Sequence, residues 1–350
     1  MDAASLSPVP LSPDLTSQQL ADLLKANSSS RGVQFYRLGR QLPQSTLRQL
    51  QRCTAACCND DRDVFENSVA SAPSAYPTTV QELWRNAACQ KLSAADAEAV
   101  VKRVGVRAFY SADLVLAEVD AFQGTFFGKP VPRITKNDEG ELDWEIEPED
   151  VGRSFFPFAP TTIAATDEGL GSIGSLPEGL GAAVGIISGQ CATTRLHAED
   201  GYLASSNYLQ YGAGKVWYVV SREYTREFID SIPSEHRHCL VSKTWFPPQP
   251  TLEQLQTGKI TRIVQQPGCL VITEPGCTLH WTLSCGRSVC ESANFFLRMG
   301  GLNMQDCLAA CIRDFRQWTI GAPESVRAFC DERVHAAEEI AAMMEFDDGE

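Results

Sequence analysis

Pro267-Gly268-Cys269-Leu270-Val271-Ile272-Thr273-Glu274-Pro275-Gly276 places a short apolar, β-branched run between two Pro-Gly pairs. A run of about four to eight such residues closed by turn residues is the pattern of a strand. The same pattern recurs in Lys215-Val216-Trp217-Tyr218-Val219-Val220 and in Ile260-Thr261-Arg262-Ile263-Val264. From Thr125 to about Asn294 the apolar residues alternate or come in such runs, broken by Gly and Pro. Many short strands with turn punctuation predict a double-sheet jelly roll or a barrel.

Helical patterns flank this β region. Thr16 and Gln19 have capping-box spacing, Leu15 and Leu20 can staple the turn, and Leu20, Leu23 and Leu24 share one face. Further helices are expected near Ser45 with Leu47 and Leu50, from Thr79 with Val80, Leu83 and Trp84, and from Ser93 with Ala97, Val100, Val101 and Val104. After Asn294 the helical period returns from Asn303 to Trp318 and from Pro323 to Met344, before the acidic tail Glu345 to Glu350. The expected organisation is α+β: a flexible segment with one short helix over 1–35, a helical region over 36–125, the β core over 126–300, and helices with an acidic tail over 301–350.

The 350 residues are 43% hydrophobic and 21% charged, a globular composition that excludes a wholly disordered chain. Thirty basic against 44 acidic residues leave a net charge of −14. That argues against broad affinity for nucleic acid or anionic membrane and suits a basic partner. No apolar run approaches the ~18–20 residues that span a bilayer. Met1 to Asp14 has neither the basic n-region nor the apolar h-region of a secretory signal. Thirteen cysteines then read as mostly reduced thiols, and an intracellular location, nuclear or cytoplasmic, is expected.

Several motifs carry weaker readings. Gly169-Leu170-Gly171-Ser172-Ile173-Gly174 matches G-x-G-x-x-G, but Pro177, Gly179 and Gly181 would break the helix that a dinucleotide site requires, so a loop is preferred. Cys53 and Cys57 stand at i, i+4 beside Cys58 with no histidine nearby, and read as buried thiols. His236, His238 and Cys239, with Cys307 and Cys311, could complete a structural zinc site across the boundary between strands and helices. Between Asp138 and Asp150, Glu141, Asp143, Glu145 and Glu147 alternate with Leu142, Trp144 and Ile146. Period two makes this an exposed strand with an acidic face: a solvated edge, or a docking face for a basic peptide.

The chain has five histidines. In His197-Ala198-Glu199 the two ligand-type side chains stand at i and i+2, on the same side of an extended chain. His280 follows 81 residues after Glu199, just past the Pro275-Gly276 turn. Two imidazoles and a carboxylate can form the 2-His-1-carboxylate facial triad, which suits ferrous iron and oxygen chemistry because the opposite face stays open.

The text around these residues adds a resemblance. Leu203-Ala204-Ser205-Ser206-Asn207-Tyr208-Leu209, Gly212-Ala213-Gly214-Lys215-Val216-Trp217-Tyr218, and Pro275 to His280 followed by Gly286 and Glu291-Ser292-Ala293-Asn294-Phe295 resemble the JmjC family of iron- and 2-oxoglutarate-dependent oxygenases. The likeness is strongest to its H-x-E histone lysine demethylases and covers residues 190 to 296. It implies a double-stranded β-helix of JmjC type, with Fe(II) on His197, Glu199 and His280, and 2-oxoglutarate and O₂ as co-substrates. Lys215 would pair with the distal carboxylate of 2-oxoglutarate, since a buried anion needs a positive partner. Asn207 would bond the chelating end, and Trp217 would wall the pocket. Ser292 and Asn294 match positions lining the methylammonium pocket, and Lys243 matches a further pocket lysine once a gap is allowed.

The implied reaction is oxidative decarboxylation of 2-oxoglutarate coupled to hydroxylation of a protein or peptide substrate, such as a basic histone tail. N-methyl hydroxylation, hence demethylation, is preferred. Stable side-chain hydroxylation stays open, because Ala182 to Gly189 holds no aromatic where the demethylases carry a caging tyrosine. A fold retained as a binding or scaffold module without turnover is the third reading. No sequence-specific nucleic-acid binding and no membrane association is expected.

Overall fold

The computed structural model describes residues 5–12, 15, 17–38, 63–64, 78–79, 92–104, 132–136, 142–146, 184–188, 193–243, 245–286, 288–295 and 304–347. In chain order the early elements are β1 (Val9–Leu11), α1 (Ser17–Ala26), β2 (Val33–Leu38), β3 (Asp63–Val64), β4 (Thr78–Thr79), α2 (Ala94–Val104), β5 (Pro132–Lys136) and β6 (Leu142–Ile146). The core strands are β7 (Val184–Ser188), β8 (Thr193–His197), β9 (Ala204–Gly212) and β10 (Lys215–Val220), then β11 (Ile260–Gln265), β12 (Cys269–Thr273), β13 (His280–Ser284) and β14 (Ser288–Phe295). Between β10 and β11 lie α3 (Arg222–Ser231) and α4 (Leu252–Gln256), and the chain closes with α5 (Met304–Trp318) and α6 (Glu324–Asp347).

Two sheets carry the site. One runs β1-β2-β12-β9-β14-β7 and the other β11-β10-β13-β8, with every pairing antiparallel except β1 on β2. They pack against each other through Val33, Phe35, Cys269 and Val271 from the first sheet and Trp217, Val219 and Ile263 from the second. The outer face of the second sheet, including Val216, Tyr218, Val220, Trp281 and Leu283, is covered by Phe228 of α3, Leu308 and Phe315 of α5 and Val334 of α6. β10 is therefore buried on both faces, which explains its continuous apolar run. Inside it, Lys215 and Trp217 take the inter-sheet side with Val219, while Tyr218 stacks on Trp281 at 5.1 Å on the helical side.

The sheet-rich antiparallel core with helices toward both ends agrees with expectation. α2 starts where the sequence places it: Ser93 Oγ accepts from the Asp96 N–H and donates to the Asp96 carboxylate. α5 and α6 match the two C-terminal helical patterns within a residue at their starts. β6 confirms the period-two strand and pairs with β5.

The N-terminal organisation needs correction. The described residues before 36 are not a loose segment, and a helical region does not begin at 36, because β2 crosses that boundary and pairs with β12 from Val33↔Thr273 to Arg37↔Cys269. β1 lies parallel on β2, and Leu6 bridges to Ile263 of the other sheet. The polar link Asn27 to Ser30 is tied down as well. Ser28 Oγ and the Ser29 N–H reach the buried Glu274 carboxylate, which also pairs with Arg222 at 2.8 Å. The physical reason is that β12 has hydrogen-bonding groups along both edges, and only a distant segment can satisfy the second edge. Thr79, expected to open a helix, instead ends strand β4 opposite Asp63. The helix expected near Ser45, the Cys53–Cys58 cluster and the glycine-rich loop at 169–174 lie outside the described residues.

Candidate metal centre

His197 ends β8 and His280 begins β13, and the two are paired directly in the sheet, with a register shift just beyond His280. A bulge beside a paired position re-aims side chains without breaking the sheet, which suits a ligand site at a strand end. Their rings sit 4.3 Å apart between centroids and tilted by 52°. Glu199 lies two residues past the strand, and its Oε1 is 3.5 Å from His280 Nε2. One ligand atom from each of His197, Glu199 and His280 lies within 4.8 Å of the others. Atoms bound cis at about 2.1 Å to one ion stand about 3 Å apart, so small side-chain adjustments close the triad.

Both imidazoles are oriented the same way. Nδ1 of His197 is 2.7 Å from the Arg195 carbonyl, and Nδ1 of His280 is 3.0 Å from the Thr278 carbonyl, each two residues back along its own chain. A proton on Nδ1 donated to a carbonyl leaves the Nε2 lone pair for a metal, which is how ligating histidines are commonly fixed. Burial, then the neighbouring charges of His280 and Lys243, pushes His197 down to about 3, so it is neutral at physiological pH. For Glu199, burial pulls toward the acid form. Its neighbours His280, His197 and Lys243 outweigh it and hold the carboxyl below the usual range. A neutral imidazole and an ionised carboxylate are the forms that bind metal.

The other residues singled out from sequence fall into four groups. Trp217 stacks on His280 with centroids 5.6 Å apart and 23° between planes, so it braces the His280 ring directly. Asn207 and Lys215 point into the inter-sheet space and are buried, at 4% and 1% exposure. Lys215 has no carboxylate within 4.0 Å among the described residues; the thiol of Cys290 lies against it. Asn207 Oδ1 is buried with no hydrogen-bond partner among the described residues. On the neighbouring strand, Ser292 is opposite Asn207, its hydroxyl donating to the Ser206 carbonyl at 2.9 Å, and Asn294 is opposite Ser205. Lys243, with φ of +53°, approaches from the segment after α3, its ammonium 3.5 Å from Asp200 Oδ2.

The zinc expectation is not met by the geometry. Among the described residues the only group of three ligand-type side chains within metal reach is the His197, Glu199, His280 triad. His238 Nε2 approaches Cys239 Sγ at 3.6 Å, yet His236, His238, Cys239, Cys307 and Cys311 do not gather. Cys239, Cys307 and Cys311 are instead buried and in no disulfide.

Sequence reasoning missed Gln265. It is fully buried opposite Lys215, takes the indole N–H of Trp217 at 2.8 Å on Oε1, and donates through Nε2 to the Asn207 and Cys269 carbonyls. One side chain thereby links the ring that braces His280 to the strand that carries Asn207. A glutamine ending an amphipathic strand looks like a solvent-facing residue until β11 is laid on β10. The close backbone approach here also explains Gly214, where a Cβ would stand 2.9 Å from the Gln265 carbonyl.

A buried lysine without an anionic partner and a buried amide with an unmet oxygen, both among the described residues, fit a dicarboxylate between the sheets: an anion satisfies Lys215, and the amide can turn either end toward it. The two oriented imidazoles and the carboxylate fit a divalent iron. Residues 186–295 match the family model described as "JmjC domain, hydroxylase". The matched span, under a third of the chain, encloses His197, Glu199 and His280; over it the chain is similar to JmjC domains, and its His-x-Glu triad is consistent with an H-x-E JmjC oxygenase.

Proposed function

We propose that this chain is an Fe(II)- and 2-oxoglutarate-dependent dioxygenase that hydroxylates a protein or peptide, with lysine N-methyl groups as the preferred target. The reading rests above all on one combination: a triad whose imidazoles are turned by their Nδ1 bonds, beside a buried lysine that has no carboxylate partner among the described residues. We infer that the two sheets form a double-stranded β-helix closed around this combination. His197, Glu199 and His280 would hold the iron, Lys215 the distal carboxylate of 2-oxoglutarate, and Asn207 its chelating end. The chemistry such an ion supplies is O₂ activation coupled to oxidative decarboxylation, one oxygen atom entering succinate and the other a substrate C–H bond.

The chain's own part is to orient and to exclude water. Trp217 fixes the plane of His280, Gln265 fixes Trp217, and the packed inter-sheet core keeps Lys215 from solvent. Burial strengthens the attraction of that ammonium for a carboxylate. Ser292 and Asn294 would line the substrate entrance, with Lys243 across from them. Hydroxylation of an N-methyl group yields a carbinolamine that collapses to formaldehyde and the demethylated amine. A net charge of −14 suits a basic substrate such as a histone tail, in the nucleus or the cytoplasm.

Stable hydroxylation is the second reading, and one observation favours it. β7 lies directly beside the proposed substrate residues, with Val184 opposite Ser292, and its sequence Val-Gly-Ile-Ile-Ser brings no aromatic ring to cage an ammonium. Two measurements test the proposal in order. Anaerobic addition of Fe(II) and then 2-oxoglutarate should give a visible charge-transfer band that requires both and vanishes in His280→Ala; a folded protein with no band refutes the oxygenase reading and leaves a scaffold. Mass spectrometry of methyl-lysine peptides should then show methyl loss. Oxygen addition alone, on every peptide tried, transfers the assignment to a hydroxylase.

A further inference from the structure

The loop that carries Glu199 is short and irregular. After Glu199 comes a 3-10 turn, Asp200–Tyr202, in which Gly201 and Tyr202 have positive φ, +66° and +55°. Such a turn does not hold itself: a non-glycine residue there is disfavoured unless its surroundings fix it. The C-terminal helices supply the fixing. A Cβ on Gly201 would lie 3.1 Å from Leu308 of α5, so backbone and helix are in close contact. The Tyr202 hydroxyl donates to Asp314 at 3.0 Å, and its ring meets Phe315 edge-on.

The strongest tie is to Asp200, the residue bonded to the ligand Glu199. Its side chain is buried, and Oδ2 accepts from Arg333 of α6 at 3.0 Å and from Lys243 at 3.5 Å. Arg333 comes from 133 residues away, and its guanidinium also lies over the Phe329 ring at 5.0 Å. Asp200 Oδ1 is buried without a hydrogen-bond partner among the described residues, so the carboxylate depends on its Oδ2 contacts. A buried carboxylate deprived of its cation turns toward other donors or toward water. Asp200 is joined to Glu199 by one peptide unit, and Lys243 at 3.5 Å is its only other cation among the described residues.

We propose that Arg333 is a positioning residue for the metal centre: by anchoring Asp200 it sets the direction of the Glu199 carboxylate, and the α5–α6 pair is thereby part of the metal site rather than a cover. The inference rests on the triad being a metal site. Outer partners that orient ligands typically change metal affinity by about 10–100-fold when lost.

The test uses the full chain and Co(II) as a spectroscopic probe, with affinity read from the visible bands and fold from circular dichroism of the metal-free protein. Arg333→Gln is expected to weaken Co(II) binding by about 10-fold or more and to alter the band shape. Arg333→Lys keeps the charge on a side chain that falls short of Asp200, and is expected to lie between the wild type and Arg333→Gln. A folded Arg333→Gln with wild-type affinity and spectrum overturns the proposal. Should that variant not fold, Arg333→Lys decides: weakened binding supports the assignment and wild-type binding overturns it. A wild-type chain that binds no Co(II), or binds it equally well as His280→Ala, removes the metal reading itself and the proposal with it.

Discussion

His197 shows how one residue joins stability to ligand chemistry. In the folded chain burial, His280 and Lys243 push it down to about 3, against 6.5 for an ordinary histidine, while Glu199 and the Arg195 carbonyl pull the other way. Between those values the unfolded chain binds more protons than the folded one. Stability of the metal-free protein therefore falls as pH drops through about 6.5 toward 3. Urea unfolding at pH 7.5 and 5.5 should show a loss of stability in the wild type that is smaller in His197→Gln; an equal loss in both would place the acid sensitivity elsewhere. The same desolvation keeps the imidazole unprotonated at neutral pH, so no proton need leave His197 when a metal arrives. The sequence made His197, Glu199 and His280 visible because ligand types at i, i+2 are rare near a turn-bounded histidine. Gln265 and Arg333 were not visible, since nothing local distinguishes them from surface residues.

Among the elements, β2 departs most from what the sequence suggests. Val33-Gln34-Phe35-Tyr36-Arg37-Leu38 pairs with β12, and Phe35 enters the inter-sheet core beside Trp217 and Val271. Replacing Phe35 by alanine should cost about 3–5 kcal/mol in urea unfolding, the range for a buried aromatic. A peripheral segment would lose less than about 1 kcal/mol, so the measurement discriminates sharply. β10 was legible for the opposite reason. Covered by a sheet on one side and helices on the other, it needs apolar residues throughout, and that run stands out in the sequence. Its one exception, Lys215, is the buried residue proposed above to pair with a carboxylate.

For the whole molecule, a metal held by the triad would link binding to folding. A ligand that binds only the folded chain, present at 100 times its dissociation constant, adds about 2.7 kcal/mol of stability. Adding Fe(II) under anaerobic conditions, or Co(II), should raise the melting temperature by roughly several degrees. A chelator should reverse the rise, and His280→Ala should abolish it; a melting point indifferent to metal would contradict the site. Among the described residues no helix is long and apolar enough to cross a membrane, and the described cysteines are free thiols. By itself the sequence determined the strand-rich centre, the C-terminal helices and the ligand triad, because each is written in residues near one another or in residue types with few alternative uses. Only the tertiary structure decided that β2 closes the edge of β12, that Gln265 joins Trp217 to the strand of Asn207, and that Arg333 reaches Asp200 from 133 residues away. Those contacts satisfy backbone edges and buried polar groups, and the partner that satisfies such a group is chosen by the packed fold, not by its neighbours along the chain.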